Sequence, residues 1–474
     1  MSVQLDRRLA QTGTRFLLFP QPRFLKKRDG SPLFAEPETV TVSVPLGEVQ
    51  AGPADDRMFV VDAIGKTRYG RFNRPPYRGP SHPPVTPDED GHFTHLEPGS
   101  RAFSAATMYA TVRRVLDLWE DYFGHRIDWH FEPDFARLEL IPLIEWDNAQ
   151  SGYGFLEFGF GRRPNGTIDH AVPYCENFDV LAHELGHSII FTEVGTPSSP
   201  ADSGIDYGGL HESGGDLTAI IALLHFDSFV DHLLDETKGN LLTINGLDRV
   251  GELSDSREIR VAFNSRRMSD VGDEPHDRSL PLTGALFDTM VEVFQQELVR
   301  VGLIDQQLRD DSNNLPGSSV DLEDIARRFS AAYEGHAREF KAALLLARDY
   351  LGTLLAVTWG DLSPDFLTYH DVLRGLVRAD RRITGGANQP IIRDCFAWRE
   401  IAPVPDSLLL RPHSLADCGL RTQQATESPT RVVLVGDHGR GAPSADGGRV
   451  VAATSSRPGP DGDRSRDARV TASS

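Results

Sequence analysis

Thr39 to Val44 alternates apolar and polar residues with period two, which predicts a half-buried strand. Met58 to Ile64 predicts a second strand. Residues 73–99 are crowded with Pro, Gly and His and read as an irregular connector. From Ala105 to Phe123 the pattern becomes helical. Met108, Val112, Val115, Leu116 and Trp119 recur at spacings of three and four, so they share one face. Leu138 to Ile144 and the Gly- and aromatic-rich run Tyr153 to Phe160 predict further strands. A strong helix is expected from Phe178 to about Thr192, and another from near His211 past Leu224. Residues 280–420 read as mostly helical, with breaks at Gly385, Gly386 and Pro390. No internal repeat is visible. Residues 421–474 are dominated by Ser, Thr, Gly, Pro, Asp and Arg, the composition of a disordered tail.

Composition narrows the field. The chain has 474 residues, 39% hydrophobic and 25% charged, which is ordinary for a soluble protein of two lobes or two to three domains. Its 49 Lys and Arg against 69 Asp and Glu give a net charge of −20, which argues against a nucleic-acid partner. Three cysteines, Cys175, Cys395 and Cys418, with no CxxC pair, fit neither a disulfide framework nor a thiolate zinc cluster. Apolar runs such as Ile220 to Leu224 are far shorter than the ~20 residues of a membrane span. No signal-peptide pattern opens the chain. The expected location is therefore cytoplasmic and off the membrane, with non-classical export left open.

The chemistry concentrates in LAHELGHSII, which holds His183, Glu184 and His187. Residues i and i+4 share a helix face, so both histidines can meet one metal ion. Zinc suits two neutral imidazoles, a carboxylate and a fourth position kept for water. Glu184 adjoins the first histidine and can take a proton from that water as it attacks a carbonyl. Apolar Leu181, Ala182, Leu185, Ile189 and Ile190 mark the helix as buried, and buried imidazoles need partners. Gly186 inside it suggests close packing or a site wall. Downstream, GGLHESGGDLTAIIALL offers Glu212 as a third ligand. Asp216, one turn on, can accept the other ring N–H of a ligand histidine. His211 is a weaker ligand candidate, pointing away from Glu212.

HELGH, followed by Glu212 and Asp216, resembles the gluzincin metallopeptidases, thermolysin-like overall and fungalysin-like towards the C-terminus. The resemblance spans roughly residues 100–402. It implies a two-lobed zincin, with an N-terminal α+β lobe, a central zinc helix and a mainly helical C-terminal lobe. It also implies one zinc per chain and hydrolysis of a peptide or protein substrate. WDNAQSGYGFLEFG resembles the family's edge strand, so Asn148 and Ala149 would bind the substrate backbone. SRRMSD places Arg266 where the family's carbonyl-binding Arg lies. HDRSLPLTGALFD offers His276 as the oxyanion donor, although it lies far from the helix start expected near Gly284. Tyr207 is a further donor candidate. VLRGLVRADRRITGGANQPIIRDCFAWREI resembles the family's C-terminal helices.

Departures bear on the cofactors. Asp179 matches one carboxylate of the paired calcium sites of the best-known members, but Leu223 stands where another belongs. The double calcium site is therefore expected to be absent. The expected organisation is an N-terminal extension with short strands (1–99), a catalytic lobe (100–225), a helical lobe (226–420) and a tail (421–474). Two rival readings stay open. One is a zinc-stabilised, non-proteolytic binding protein. The other is an aminopeptidase whose amino-terminus anchor would be Glu157.

Overall fold

The computed structural model describes residues 2–26, 30–163, 165–242, 264–313 and 322–401. Helix α1 (Ser2–Thr12) leads into β1 (Gly13–Leu18), which pairs antiparallel with β2 (Glu38–Pro45). Val40 and Val42 of β2 are buried while their neighbours are not, the period-two pattern of a one-sided ribbon. Strand β3 (Met58–Val60) does not belong to this hairpin. It pairs in parallel with β4 (Leu138–Ile141). Between them in sequence runs α2 (Arg101–Phe123), capped by the Ser100 hydroxyl and closed by Gly124 at φ 75°.

The main sheet has the order β3-β4-β6-β5, with β5 (Ala149–Gly152) antiparallel on the outer edge of β6 (Phe155–Phe158). This changes the expected boundary at residue 99. Three residues of the supposed extension form one edge of the central sheet, and α1, Phe16 and Val42 share one apolar core with α2. A strand this short carries too little periodicity to show its partner. After a hairpin of β7 (Phe160–Arg162) and β8 (Ile168–Pro173) the chain becomes helical. In order come α3 (Phe178–Glu193), α4 (Ile205–Leu223), α5 (Asp227–Thr237), α6 (Pro275–Arg300), α7 (Gln306–Asn313), α8 (Leu322–Tyr333), α9 (Ala337–Gly360), α10 (Tyr369–Thr384) and α11 (Gln389–Trp398).

One contiguous apolar core runs through the described residues from Leu5 to Ile401. Trp119 of α2 stacks on Trp359 of α9, with ring centroids 4.8 Å apart, at the seam between sheet and helices. The fold is thus mixed α+β. The breaks expected at Gly385 and Pro390 are where α10 ends, on Gly385 at φ 77°, and where α11 begins. Among the described residues no single helix is long and apolar enough to cross a membrane. Residues 402–420 of the expected helical lobe, and the tail 421–474, lie outside the described residues.

Two helix starts differ from expectation, and both matter for the site. Helix α4 begins at Ile205 rather than near His211, and ends at Leu223. Gly208 and Gly209 lie inside it because they face Pro275 and the Tyr369 hydroxyl at close approach, so they serve packing and do not break the helix. Helix α6 begins at Pro275, capped by the Glu274 carboxylate, which accepts from Asp277 N at 2.9 Å. His276 therefore stands in the first turn of α6, and Gly284 lies well inside the helix.

Candidate metal centre

The site is built where α3 crosses α4. Asn177 caps α3 by accepting from Asp179 N at 3.1 Å, which fixes the frame of the helix at its entrance. The helices approach closely because glycines face each other. A Cβ on Gly186 would lie 2.8 Å from Gly215 Cα. A Cβ on Gly215 would lie 2.5 Å from the His183 ring, so the ring occupies space that only a glycine leaves.

This packing brings two residues of α3 and two of α4 together. His183 Nε2 is 3.5 Å from Glu212 Oε2, and His187 Nε2 is 4.0 Å from Glu212 Oε1. One ligand atom from each of His183, His187 and Glu212 lies within 4.8 Å of the other two, and all three residues are buried. Among the described residues this is the group of His, Cys, Asp and Glu side chains placed to hold a metal ion. The other nitrogen of His183, Nδ1, faces Asp216 Oδ1 at 3.0 Å. That is the carboxylate–imidazole arrangement that fixes ring orientation and tautomer in metal sites. Glu184, 7% exposed, sits on the same helix beside His183.

Two neighbours complete the wall. His276 Nε2 comes within 3.4 Å of Glu212 Oε2, while its Nδ1 lies 2.6 Å from Glu274 Oε1. Burial raises the Glu274 carboxyl, but hydrogen bonds from His276 and from Asp277 N–H outweigh it and hold that carboxyl below the usual range. Sequence reasoning did not single out Glu274. An acidic residue directly before a proline at a helix start was its signal. On the opposite side, His211 lies against His187, with centroids 5.8 Å apart, and between Phe191 and Tyr207. Burial, with a smaller push from His130 and against Glu212, lowers its pKa to about 3. His211 is therefore a neutral packing partner of the site.

Other predicted residues fall in varied places. The Tyr207 hydroxyl donates to Gly195 O at 2.7 Å, so its proton is committed to the α3–α4 loop. Asn148 and Ala149 stand at the start of edge strand β5, which packs against α3. Ala149 is 1% exposed and its N–H is taken by Asn148 Oδ1, so the accessible part of this edge is Ser151 and Gly152. The Arg266 side chain is exposed. Its carbonyl accepts from Arg399 Nη1 at 2.9 Å, and Arg399 is itself anchored on Asp288. Glu157 is fully buried and ion-paired with Lys66, which leaves no room for a substrate amine. Asp179 is buried in the first turn of α3, and Leu223 is buried at the end of α4.

Neither a protein-family model nor a curated protein matches this chain.

Proposed function

We propose that the chain is a zinc-dependent metalloendopeptidase on a two-lobed, thermolysin-like zincin fold, acting on peptide or protein substrates. One observation carries the reading. His183, His187 and Glu212 converge from two helices while Asp216 backs the first histidine. The donor set fits zinc. Tetrahedral bonds of about 2.0–2.1 Å put ligand atoms roughly 3.3 Å apart, close to the 3.5 and 4.0 Å separations here. Two imidazoles and one carboxylate leave a position open, as in catalytic sites.

Bound there, zinc supplies Lewis-acid polarisation and makes water a competent nucleophile near neutral pH. The chain's residues do the rest. Asp216, 3.0 Å from His183 Nδ1, is placed to accept that ring N–H and leave Nε2 as the ligand atom. Glu184 takes the proton of the attacking water and passes it to the leaving amine. His276, when it carries N–H on both ring nitrogens, gives one to Glu274 and turns the other to the developing oxyanion. Edge strand β5 lies beside α3, where an extended substrate can be held by backbone hydrogen bonds. Burial of Glu157 with Lys66 favours an endopeptidase over an aminopeptidase.

The test is metal analysis with one variant. Purified protein is expected to hold about one zinc per chain, lost in His183→Ala. Glu184→Gln should keep the zinc and stop casein cleavage. A zinc-free native protein, or cleavage retained by Glu184→Gln, would overturn the reading.

A further inference from the structure

The segment from Ala63 to Pro87 contains Lys66, Arg68, Arg71, Arg74 and Arg78 and no Asp or Glu, in a chain whose net charge is −20. Lys66 is buried on Glu157, so its charge is spent inside the protein. The four arginines are exposed. Arg68 lies over the Trp146 ring at 5.5 Å, three residues before Ala149. Among the described residues Arg68, Arg74 and Arg78 form no ion pair. The carboxylates flanking Trp146 are matched elsewhere, Glu145 by His170 and Asp147 by Arg162. Phe72, between these arginines, is 95% exposed.

Such a stretch is usually floppy, but this one is tightly held. Both of its feet stand on buried carboxylates of the central sheet. Tyr69 N donates to Glu157 Oε1 at 2.6 Å, and the Tyr69 hydroxyl donates to Glu139 Oε2 at 2.6 Å. Tyr77 N donates to Glu139 Oε1 at 2.8 Å, and its hydroxyl reaches Ile64 O. Gly70 and Asn73 exchange backbone hydrogen bonds across the tip. Tyr69, Ile141, Ile144 and Phe155 form a small apolar cluster beneath. Burying two carboxylates and an ammonium is costly, and two tyrosines with neutral partners would hold a loop at less expense of stability. What the arrangement achieves is position, since Gln150 of edge strand β5 bonds both Glu157 and the Tyr69 carbonyl. The loop and the substrate-side strand are thus one rigid unit.

We propose that this loop is an interaction surface for acidic peptide segments: Arg68, Arg74 and Arg78 hold carboxylates, Phe72 packs on an apolar residue, and the segment continues along β5 towards the metal centre. The proposal rests on the peptidase reading and assigns its substrate class. A fixed cationic rim beside an exposed aromatic anchor is the surface that a carboxylate-rich, partly apolar chain matches. A nucleic acid is disfavoured, because only a few arginines face outward and the rest of the chain repels a polyanion.

The test uses the full chain carrying Glu184→Gln, a labelled Glu-rich peptide containing one Leu, and the same peptide with Gln for Glu. The Glu peptide is expected to bind about tenfold tighter at low salt, with the advantage shrinking as salt rises. Combined Arg68→Gln, Arg74→Gln and Arg78→Gln should abolish the difference without lowering the melting temperature. Phe72→Ala should weaken both peptides. Equal binding of the two peptides, no effect of the triple variant, or displacement of the Glu peptide by an equally charged single-stranded oligonucleotide would overturn the proposal. Hydrolysis by the zinc-loaded native protein separates the two claims. Binding preference without hydrolysis removes the peptidase and keeps the surface. Hydrolysis without preference does the reverse.

Discussion

His183 turns Nδ1 to Asp216 Oδ1 at 3.0 Å and Nε2 to Glu212 Oε2 at 3.5 Å. The ring therefore lies between two carboxylates, both supplied by α4 one turn apart. Asp216→Asn keeps the shape but can offer an N–H to Nδ1, which would favour the wrong tautomer. The expected result is a fall of about 10- to 100-fold in zinc affinity, read by competition with a chromophoric chelator. Unchanged affinity would show that Asp216 does not orient His183.

Gly215 tests whether the close approach of the helices makes the site. A methyl group there would meet the His183 ring at 2.5 Å, and the backbone behind it is already tight against Gly186. Gly215→Ala is expected to destabilise the protein by about 1–3 kcal/mol despite the better helix propensity of Ala. It should also lose zinc. Urea unfolding and metal analysis on the same preparation check both. A variant as stable as the native protein, with full zinc, would mean that the helices can separate freely.

Much of this centre was legible in the sequence, for reasons that particular residues make plain. His183 and His187 follow from helix periodicity alone, because four residues return to the same face. Glu212 and Asp216 are legible as a pair at i and i+4, and a glycine within an apolar helix correctly signalled tight packing at Gly186. What was hidden depends on contacts across the chain. The role of Gly215 as the floor under His183 is a relation between helices. The Tyr207 hydroxyl could be sent to Gly195 only once the α3–α4 loop was placed. Glu157, named as the amino-terminus anchor of an aminopeptidase, is taken up by Lys66, 91 residues away in the chain. Helix α6 starts at Pro275, well before the Gly284 of the family pattern, and Pro is at home in the first turn of a helix.

His276 and Glu274 should behave as a unit. His276 reaches both Glu274 and Glu212, but neither it nor Glu274 belongs to the three-residue ligand group. His276→Ala is expected to retain zinc and lower kcat by about 10²- to 10³-fold, the usual loss of an oxyanion donor. Glu274→Gln should cost less. The double variant should be no slower than His276→Ala, because Glu274 acts through the histidine. Additive losses would place Glu274 in direct contact with substrate. Loss of zinc from His276→Ala would make the histidine a ligand.

His130 offers a test in acid that does not involve catalysis. Its ring packs against Phe131, Tyr153 and Phe191, and Nδ1 is buried without a hydrogen-bond partner. Burial lowers its pKa from 6.5 to about 4. Between these values the unfolded chain binds a proton that the folded protein refuses. Stability contributed by this group is thus complete above pH 6.5 and is lost as pH falls towards 4, by about 1–3 kcal/mol. Below pH 4 both states are protonated and the loss stops. His130→Phe keeps the aromatic packing and removes the titration. Urea unfolding across this range, with chelator present so that metal release does not contribute, should show a shallower decline in the variant. The decline should not vanish, because buried His211, with its pKa near 3, acts in the same direction and remains. Parallel curves for the two proteins would mean that water reaches the His130 ring in the folded state.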